Sequence, residues 1–533
     1  MSQPFGMKTY MKGAALLTIS ALIVKILSAV YRIPFQNIVG DEGFYIYQQV
    51  YPFIAIFVVW TTGGVAVAIS KLLADNDAEA SAYIRAQKRN TIMVIVTGYL
   101  LIIACLFFII LYFGAVPIAL IMGDIELAPL LKTGSFIVFI MPLFATLKGA
   151  FQSRGMMAPI AYAQVVEQVV RVGIILLGTV IVMRYTTSLY AAGHIAVLGT
   201  VIGEAVGLVL LLLWYWRQFG YQHLFYRMPI MPVIKQVTLL SLSVSMSSLL
   251  LLSYQFVDSF TIFTSLLHAG MDMQLAKELK GVFDRGQPLV QLGIVVASSL
   301  TLAIVPLIAH QMKSQSEGGR SAQPFIELTY RTALVFGSAA ALGLFLVMPN
   351  LNMMLFKTDV ASDVLAFYML QIIPLSLVLT FTGILQGMHK LKMPAIILSV
   401  GFLIKAVLNV MLVPIFSIMG AAIASNVGLF ITAIWLMLYS RRFINMHIPL
   451  YFYRQLLLSL VMMALVVCLV QGGIQAQETR KNAALVGLLA IGLGAFTFIT
   501  SIAKLKLLSE KEWFLLPFGR RMARYQLWLN QKK

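Results

Sequence analysis

Long apolar stretches recur from one end of the sequence to the other, and short segments rich in charged and polar residues separate them. A helix needs about 20 mostly apolar residues to cross the hydrocarbon core of a membrane, where it satisfies its own backbone hydrogen bonds. The pattern predicts fourteen transmembrane helices: 13–35, 44–70, 91–113, 129–147, 159–183, 193–216, 236–265, 289–310, 332–349, 364–386, 394–416, 420–440, 455–472 and 483–503. The predicted fold class is therefore an all-α integral membrane protein, with no hydrophilic insert long enough to form a soluble domain.

The basic residues of the connecting segments alternate with the predicted spans. Every segment that follows an even-numbered span contains at least two Lys or Arg, as with Lys88 and Arg89 after span 2 and Lys390 and Lys392 after span 10. Because cytoplasmic loops collect Lys and Arg, the alternation predicts a multi-pass protein of the cytoplasmic (inner) membrane with both termini in the cytoplasm. One span more or fewer would invert every later segment, so the alternation also supports the count of fourteen.

The composition agrees with this prediction and excludes a soluble enzyme. Of the 533 residues, 60% are hydrophobic and only 11% are charged, whereas soluble domains carry about 25% charged residues. The net charge of +19 arises from 39 Lys and Arg against 20 Asp and Glu. Most of these bases lie in the predicted cytoplasmic segments, so the charge reflects membrane orientation, and no nucleic-acid partner is predicted.

The two halves of the chain share short motifs in the same order, which indicates an internal duplication. An Ala-Ile pair begins at Ala68 near the end of span 2 and at Ala303 near the end of span 8, and Pro159 and Pro394 open spans 5 and 11 at the same offset. The predicted regions are an N-terminal lobe of spans 1–6 (1–217), a C-terminal lobe of spans 7–12 (218–441), two extra spans (442–506) and a basic cytoplasmic tail (507–533). Two lobes that begin on the same side of the membrane are parallel repeats, which transporters use for alternating access around a central site.

Lys25 and Arg32 in span 1 are candidates for a functional site within the membrane. An ionisable residue in a span is costly, and these two are separated by nearly two helical turns, so a continuous helix would place them on one face. Pro34 then breaks or bends the helix. Arg binds phosphate oxygens with two parallel hydrogen bonds and Lys supplies a point charge, so the pair suits a phosphate or pyrophosphate group. The alternative is that either side chain extends to a membrane interface.

Five further ionisable residues in the predicted spans are candidates for a cavity or for ion coupling. Glu167 and Arg171 in span 5 are four residues apart, and they either bind substrate or neutralise each other between helices. Glu204 in span 6 and Asp258 in span 7 either couple transport to protons or sodium or pair with a base. Lys405 in span 11 has no acid nearby in sequence, so it needs a partner from another helix or from a ligand.

Arg285, at the entrance to span 8, is either a residue of the cavity mouth or a solvated loop charge. Catalytic motifs are missing from the sequence, which contains no G-x-x-x-x-G-K-[ST] nucleotide loop, no H-E-x-x-H metal motif and no pair that suggests nucleophilic catalysis. We therefore expect a transporter rather than an enzyme, without a metal or cofactor, and coupled to a cation gradient or to the membrane potential.

Three stretches of the sequence, 25–35, 64–71 and 283–293, resemble a known superfamily of exporters. With the fourteen spans and two six-span lobes, they resemble the multidrug/oligosaccharidyl-lipid/polysaccharide (MOP) exporter superfamily. Within it, they are similar to the polysaccharide-biosynthesis branch of Gram-positive bacteria, which contains stage V sporulation protein B and the MurJ-type lipid II flippases. The resemblance implies a V-shaped fold of two lobes around a cationic central cavity.

The resemblance also implies a function. It places Lys25 and Arg32 at or beside two basic residues of span 1 in lipid II flippases, whereas the arginine that those proteins carry in span 2 is replaced here by the apolar stretch 53–60. The implied function is a flippase that moves an undecaprenyl-pyrophosphate-linked saccharide, lipid II or a related cell-wall or polysaccharide precursor, across the cytoplasmic membrane by alternating access. Lys25, Arg32 and Arg285 would bind the pyrophosphate.

Two alternatives are a cation-coupled multidrug exporter and a non-transporting membrane scaffold for wall synthesis. The expected partners are the lipid-linked saccharide, cell-wall synthesis enzymes, and membrane lipids beneath the basic tail, which carries Trp513 and Trp528. The protein itself is expected to be a monomer.

Overall fold

A computed structural model describes residues 7–75, 81–220, 226–295, 308, 323–388, 390, 392–473, 479–513 and 519–531, nearly all of them helical. The chain forms two compact units, Met1–Asp284 and Arg285–Lys533. The helices of each unit expose large apolar side chains, such as Leu177 (68% exposed) in the first and Ile415 (70% exposed) in the second. Many such side chains along long apolar helices indicate a surface that is covered by lipid hydrocarbon.

The helices follow one another with short connections. In the first unit they are α1 (Met7–Val30), α2 (Arg32–Val59), α3 (Ala66–Asp75), α4 (Ala82–Phe108), α5 (Ala115–Ile121), α6 (Ala128–Ser135), α7 (Ile137–Ser153), α8 (Met157–Tyr185), α9 (Leu189–Phe219), α10 (Ile230–His268) and α11 (Met273–Asp284). A π-helical segment, Trp60–Val65, joins α2 to α3, and a second, Ile109–Phe113, extends α4. In the second unit they are α12 (Gly286–Gly293), α13 (Gln323–Phe356), α14 (Ser362–Met369), α15 (Ile372–Gly387), α16 (Lys392–Phe416), α17 (Ile418–Ser440), α18 (Leu450–Gly473), α19 (Arg480–Lys504), α20 (Glu510–Trp513) and α21 (Gly519–Gln531).

Within the described ranges, 12 helical stretches are long and apolar enough to cross a membrane. The first of them, Ser20–Asp75, has 56 residues, which as straight helix would extend about 84 Å, and it overlaps both predicted spans 13–35 and 44–70. Predicted span 8, 289–310, lies mostly outside the described residues. Each remaining predicted span overlaps one stretch, so the all-helical membrane fold is confirmed, while the count of fourteen stays a prediction.

Two interruptions divide the first long helical stretch. The first lies at Tyr31, between α1 and α2. It is one turn before Pro34, which has no N–H to donate to the carbonyl of Val30, and it agrees with the break that the sequence predicts. The second lies at Gly40, whose φ of 71° belongs to the left-handed region that glycine adopts without a steric penalty. Tyr31 itself keeps helical dihedral angles (φ −63°, ψ −24°), so the first interruption is a local one.

Contacts between connecting segments agree with the predicted alternation of sides in the first unit. Lys277, which follows predicted span 7, donates a 2.7 Å hydrogen bond to the hydroxyl of Tyr190, which follows span 5. Arg89, which follows span 2, donates to the hydroxyl of Ser153, which follows span 4. Segments after odd-numbered spans thus meet one another, and so do segments after even-numbered spans.

The second unit shows the same agreement. Arg480, which follows predicted span 13, donates a 2.9 Å hydrogen bond to the carbonyl of Met354, which follows span 9. The backbone N–H of His447, which follows span 12, donates to the carboxylate of Glu327, which follows span 8, at 3.3 Å. The assignment of spans is therefore consistent within each unit.

Glycines spaced four residues apart bring α8 and α9 close together. Gly199, Gly203 and Gly207 lie on the side of α9 that faces α8. A Cβ atom at Gly203 would lie 2.8 Å from the Cβ of Arg171 and 3.0 Å from the carbonyl oxygen of Glu167. Small residues at this spacing let membrane helices approach at backbone distance. The packing therefore holds the charged part of α8 directly against α9.

The units do not divide where the predicted lobes do. The boundary between the units follows Asp284, whereas the predicted lobes meet between 217 and 218. Helices α10 and α11, predicted to begin the second lobe, pack against α2 in the first unit. The units are defined by which residues pack together, whereas the duplication concerns related segments that recur in the same order along the chain. The unit boundary therefore does not test the duplication, and the duplicated lobes stay a prediction.

Candidate functional site

Arg32 is a buried cation in the first turn of α2. It is 1% exposed, and its guanidinium carbon lies 4.6 Å from the centre of the Tyr51 ring. Its Nε and Nη1 atoms have no hydrogen-bond partner in the described structure, and no ion pair of the described residues includes it. Asp284 also interacts electrostatically with Arg32. A buried charge with no acid at ion-pair distance is costly and typically marks a functional site.

Three tyrosines surround this charge. The hydroxyl oxygens of Tyr31 and Tyr47 lie 2.8 Å apart in a buried hydrogen bond. All three, including Tyr51, interact electrostatically with Arg32 and also with Arg171 of α8. The sequence prediction did not connect Arg32 with Arg171 or with these tyrosines. Two buried guanidinium groups that share aromatic and hydroxyl neighbours form an environment that attracts an anion.

Arg171 also belongs to a network of four charges. Lys148, Glu167, Arg171 and Glu204 interact electrostatically across α7, α8 and α9. Glu167 and Glu204 are both buried, and Oε2 of Glu204 has no hydrogen-bond partner in the part of the chain that is described. Among those residues no ion pair within 4.0 Å joins Glu167 to Arg171. The predicted pair is thus one part of a larger network.

Lys148 lies one residue beyond the predicted end of span 4. It is part of α7, and its Nζ donates a 2.8 Å hydrogen bond to the carbonyl of Thr62. Thr62 belongs to the π-helical segment Trp60–Val65, where the wider turn disturbs the regular ladder of backbone hydrogen bonds. Helix α7 continues to Ser153, beyond the apolar stretch that predicted span 4, so Lys148 extends the charged part of this helix.

Lys25 and Arg32 differ in their exposure. The side chain of Lys25 is exposed near the middle of the described part of span 1, whereas that of Arg32 is buried. The backbone between them interrupts the helix only at Tyr31, which keeps helical dihedral angles. The shared face of the two cations stays a prediction.

A second polar cluster was not predicted from the sequence. The Nζ of Lys277 lies 3.7 Å from carboxylate oxygens of both Glu42 and Asp124. The hydroxyl of Tyr190 accepts a hydrogen bond from Lys277 and donates one of 2.6 Å to Asp124. These four residues come from segments after predicted spans 1, 3, 5 and 7. None of the four residues belongs to a recognisable sequence motif. The only sequence feature that links them is the prediction that all four segments lie on the same side of the membrane.

Helix α11 ends in a buried ion pair. The Nζ of Lys280 lies 2.6 Å from both carboxylate oxygens of Asp284, four residues later. Burial raises the pKa of Asp284 to about 6, although Lys280 by itself lowers it. Asp258 of α10, a predicted coupling residue, is also buried and interacts electrostatically with Asp284. Helix α11 lies between predicted spans 7 and 8, in a segment for which the sequence predicted no helix.

The candidate residues of the second unit are also buried. Arg285 is 1% exposed. Its Nη1 donates a 3.3 Å hydrogen bond to the side chain of Asn352, and its guanidinium carbon lies 5.3 Å from the centre of the Phe356 ring. The alternative of a solvated loop charge is therefore wrong. Lys405 of α16 is likewise 1% exposed, and Asn409 on the next turn is fully buried.

Comparison with known proteins places this geometry in context. Residues 10–312 match the protein family described as polysaccharide biosynthesis protein. The chain is 35% identical to the uncharacterized membrane protein YabM of Bacillus subtilis (strain 168) over 538 residues, 98% of each chain. It is 25% identical to Lipid II flippase MurJ of that organism over 455 residues, 78% of this chain and 80% of that protein. It is 28% identical to Stage V sporulation protein B of the same organism over 441 residues, 79% of this chain and 82% of that protein.

Solved structures share the fold. The inward closed conformation of Lipid II flippase MurJ matches with a TM-score of 0.66 at 14% identity, and the match covers 92% of this chain and 99% of that one. An inward-facing multidrug resistance MATE family transporter of the MOP superfamily matches with a TM-score of 0.60 at 15% identity, covering 81% of this chain and 97% of that one. At such identities the likeness establishes the fold and leaves the substrate to the site.

Proposed function

Because the chain belongs to the polysaccharide biosynthesis protein family, within the MOP superfamily of membrane transporters, we propose that it is a flippase for an undecaprenyl-pyrophosphate-linked saccharide. The chain is a multi-pass membrane protein, and its relative Lipid II flippase MurJ is a transporter rather than an enzyme. The proposed substrate is lipid II or a related cell-wall or polysaccharide precursor. It would cross the cytoplasmic membrane by alternating access.

The observation that carries this proposal is the buried guanidinium group of Arg32, which forms no ion pair within 4.0 Å with a described residue. Two of its nitrogen atoms have no hydrogen-bond partner in the described residues, and the ring of Tyr51 packs against it. A guanidinium group matches phosphate oxygens in charge and in hydrogen-bond geometry. A pyrophosphate would therefore supply the counter-charge and the acceptors that Arg32 needs.

The surrounding charges favour the same ligand. The network linked to Arg32 through the tyrosines contains the bases Arg171 and Lys148 against the acids Glu167 and Glu204. Arg32 and Arg171 place two guanidinium groups beside the same three tyrosines, an arrangement that suits a doubly charged anion. We assign Arg171 to the pyrophosphate site together with Arg32.

Lys25 and Arg285 would have different roles in binding the pyrophosphate. Lys25 is exposed, so it would make a first contact with the pyrophosphate before Arg32 does. Arg285 would have to leave Asn352 to reach a substrate, so we expect it to contribute less to binding than Arg32 does.

The test is charge reversal in liposomes that contain the purified protein and a fluorescent undecaprenyl-pyrophosphate-linked saccharide. The initial flipping rate is followed with a membrane-impermeant quencher. Arg32→Glu should lower the rate about tenfold or more, because losing even one charge-assisted contact costs more than 1.4 kcal/mol. The matched control is Arg184→Glu, an exposed arginine near the end of α8, which should flip at the wild-type rate.

Two outcomes are decisive. A folded Arg32→Glu protein that flips at the wild-type rate would remove Arg32 from the site. Complementation of a strain depleted of its lipid II flippase identifies the saccharide that is carried. Growth of this strain would identify lipid II as the substrate. If the protein flips a lipid-linked saccharide in liposomes but does not restore growth, the substrate is a related precursor.

A cation-coupled multidrug exporter is the second candidate. It is favoured by the buried acids Glu167 and Glu204 and by the fold that the chain shares with a MATE family transporter. Such a protein would expel a cationic dye from vesicles, and Glu204→Gln would abolish that efflux. Dye efflux in a protein that does not flip the saccharide would replace the flippase proposal.

A further inference from the structure

A cavity of about 320 Å³ lies in the second unit, where α13 begins, α17 ends and α18 begins. Its wall includes Tyr330, Arg441, His447 and Tyr453. Its volume is at the lower end of the roughly 300–1,000 Å³ that small-molecule sites occupy. Helix ends meet here at the edge of the apolar spans, so the cavity lies at the level of lipid head groups.

Arg441 supplies the positive charge of this cavity. It directly follows α17, its side chain is exposed, and its backbone N–H is held by the carbonyl of Met437. Its guanidinium group forms no ion pair or hydrogen bond with another described residue. Arg331, at the same end of the unit, is instead paired with Glu512 at 2.9 Å. Arg441 therefore has its donors available for a ligand.

Two tyrosine hydroxyls supply a further donor. The oxygens of Tyr330 and Tyr453 lie 3.1 Å apart in the wall of the cavity. In such a pair one hydroxyl donates to the other, so the accepting hydroxyl retains its own proton for a third group. A ligand with strong acceptor oxygens would receive that proton. The cavity thus combines one cation with one hydroxyl donor.

The nearby acid does not oppose an anion in the cavity directly. The carboxylate of Glu327 accepts hydrogen bonds from the backbone of His447 at 3.3 Å and from the side chain of Gln323 at 2.8 Å. It is absent from the described cavity wall. These two hydrogen bonds keep the carboxylate of Glu327 directed toward Gln323 and the backbone of His447.

We propose that this cavity binds the phosphoryl group of a membrane phospholipid. Met437 and Ile444 form an apolar part of the wall, and Leu450 (82% exposed) and Tyr451 (54% exposed) continue the apolar surface next to it. Acyl chains would follow this surface while Arg441 and the tyrosine pair bind the phosphate oxygens. The site lies within the second unit and does not depend on the pyrophosphate site at Arg32.

The experiment measures binding to the full-length protein, purified in detergent, by native mass spectrometry. The probes are a short-chain phosphatidylglycerol, the diacylglycerol with the same acyl chains, and inorganic phosphate. Arg441→Gln should raise the Kd for phosphatidylglycerol about tenfold or more, because it removes a charge-assisted contact. The matched control is Arg442→Gln, because Arg442 packs beside Tyr439 and does not line the cavity. Its Kd should stay at the wild-type value.

The remaining arms identify the source of the phosphoryl group. Binding of phosphatidylglycerol without binding of inorganic phosphate supports the lipid, and equal binding of both supports a soluble phosphate in the same site. Tyr330→Phe combined with Tyr453→Phe keeps both rings and should also weaken binding, which guards against a folding defect in Arg441→Gln. Equal losses in Arg441→Gln and Arg442→Gln, or diacylglycerol binding as tight as phosphatidylglycerol binding, would overturn the proposal.

Discussion

Replacing Gly203 with valine should force α8 and α9 apart and displace the charged residues between them. The Cβ of a residue at 203 would lie 2.8 Å from the Cβ of Arg171, 3.0 Å from the carbonyl oxygen of Glu167 and 3.3 Å from the Cα of Arg171. Carbon atoms in contact normally lie about 3.5–4.0 Å apart. The helices must therefore separate by about 1 Å.

The size of the effect follows from which atoms are in the way. They belong to the backbone and to a Cβ, so no side-chain rotation can relieve the overlap. Introducing extra methyl groups into such a contact costs about 1–3 kcal/mol. Because Arg171 and Glu167 move with their helix, flipping should also slow if the proposed site is correct.

Gly173→Ala is the matched control. Gly173 lies on α8, and a Cβ there would have no atom within 4 Å. Alanine should stabilise the helix by about 0.5–1 kcal/mol relative to glycine. The assay is the unfolding midpoint of the purified protein in detergent, measured for both variants alongside the flipping rate. A Gly203→Val protein as stable as the Gly173→Ala protein would refute the close packing of α8 and α9.

Four further predictions concern the ion pair, Lys148 and the tail. Lys280→Met should destabilise the protein by about 3–5 kcal/mol, because it removes the ammonium group that lies against the buried carboxylate of Asp284, and adding Asp284→Leu should recover most of the loss in the same unfolding assay. Burial raises the pKa of Asp284 from 3.8 to about 6. Between these two pH values the carboxyl group is protonated in the folded protein and ionised in the unfolded protein. Its contribution to stability should fall as pH rises between those values, and Asp284→Asn should remove that part of the measured pH slope. Lys148→Met should cost about 1–3 kcal/mol in the unfolding assay, because it leaves the carbonyl of Thr62 without its donor; an unchanged midpoint would contradict that role. Deleting 507–533 should lower the melting temperature because α21 packs along α19, whereas a tail that only recruits partners would leave it unchanged.

Hydrophobic length and the distribution of bases determined the membrane fold without any tertiary information. Hydrocarbon thickness fixes how many apolar residues a span needs, and Lys and Arg mark one side of the membrane. The sequence therefore predicted the helical stretches, and it predicted that Glu42, Asp124, Tyr190 and Lys277 belong to one side of the first unit. Pro34 also predicted the interruption at Tyr31, because a missing N–H acts on the chain locally.

Tertiary structure alone decided which charges meet. Lys25 and Arg32 are close in sequence, but the side chain of Lys25 is exposed and that of Arg32 is buried. Arg32 and Arg171 are far apart in sequence yet share the same tyrosines. The rotation of each helix and its distance from its neighbours set these contacts, and they depend on close approaches such as the one at Gly203. Hydropathy reports only the length and polarity of a span, so it contains no information about that rotation.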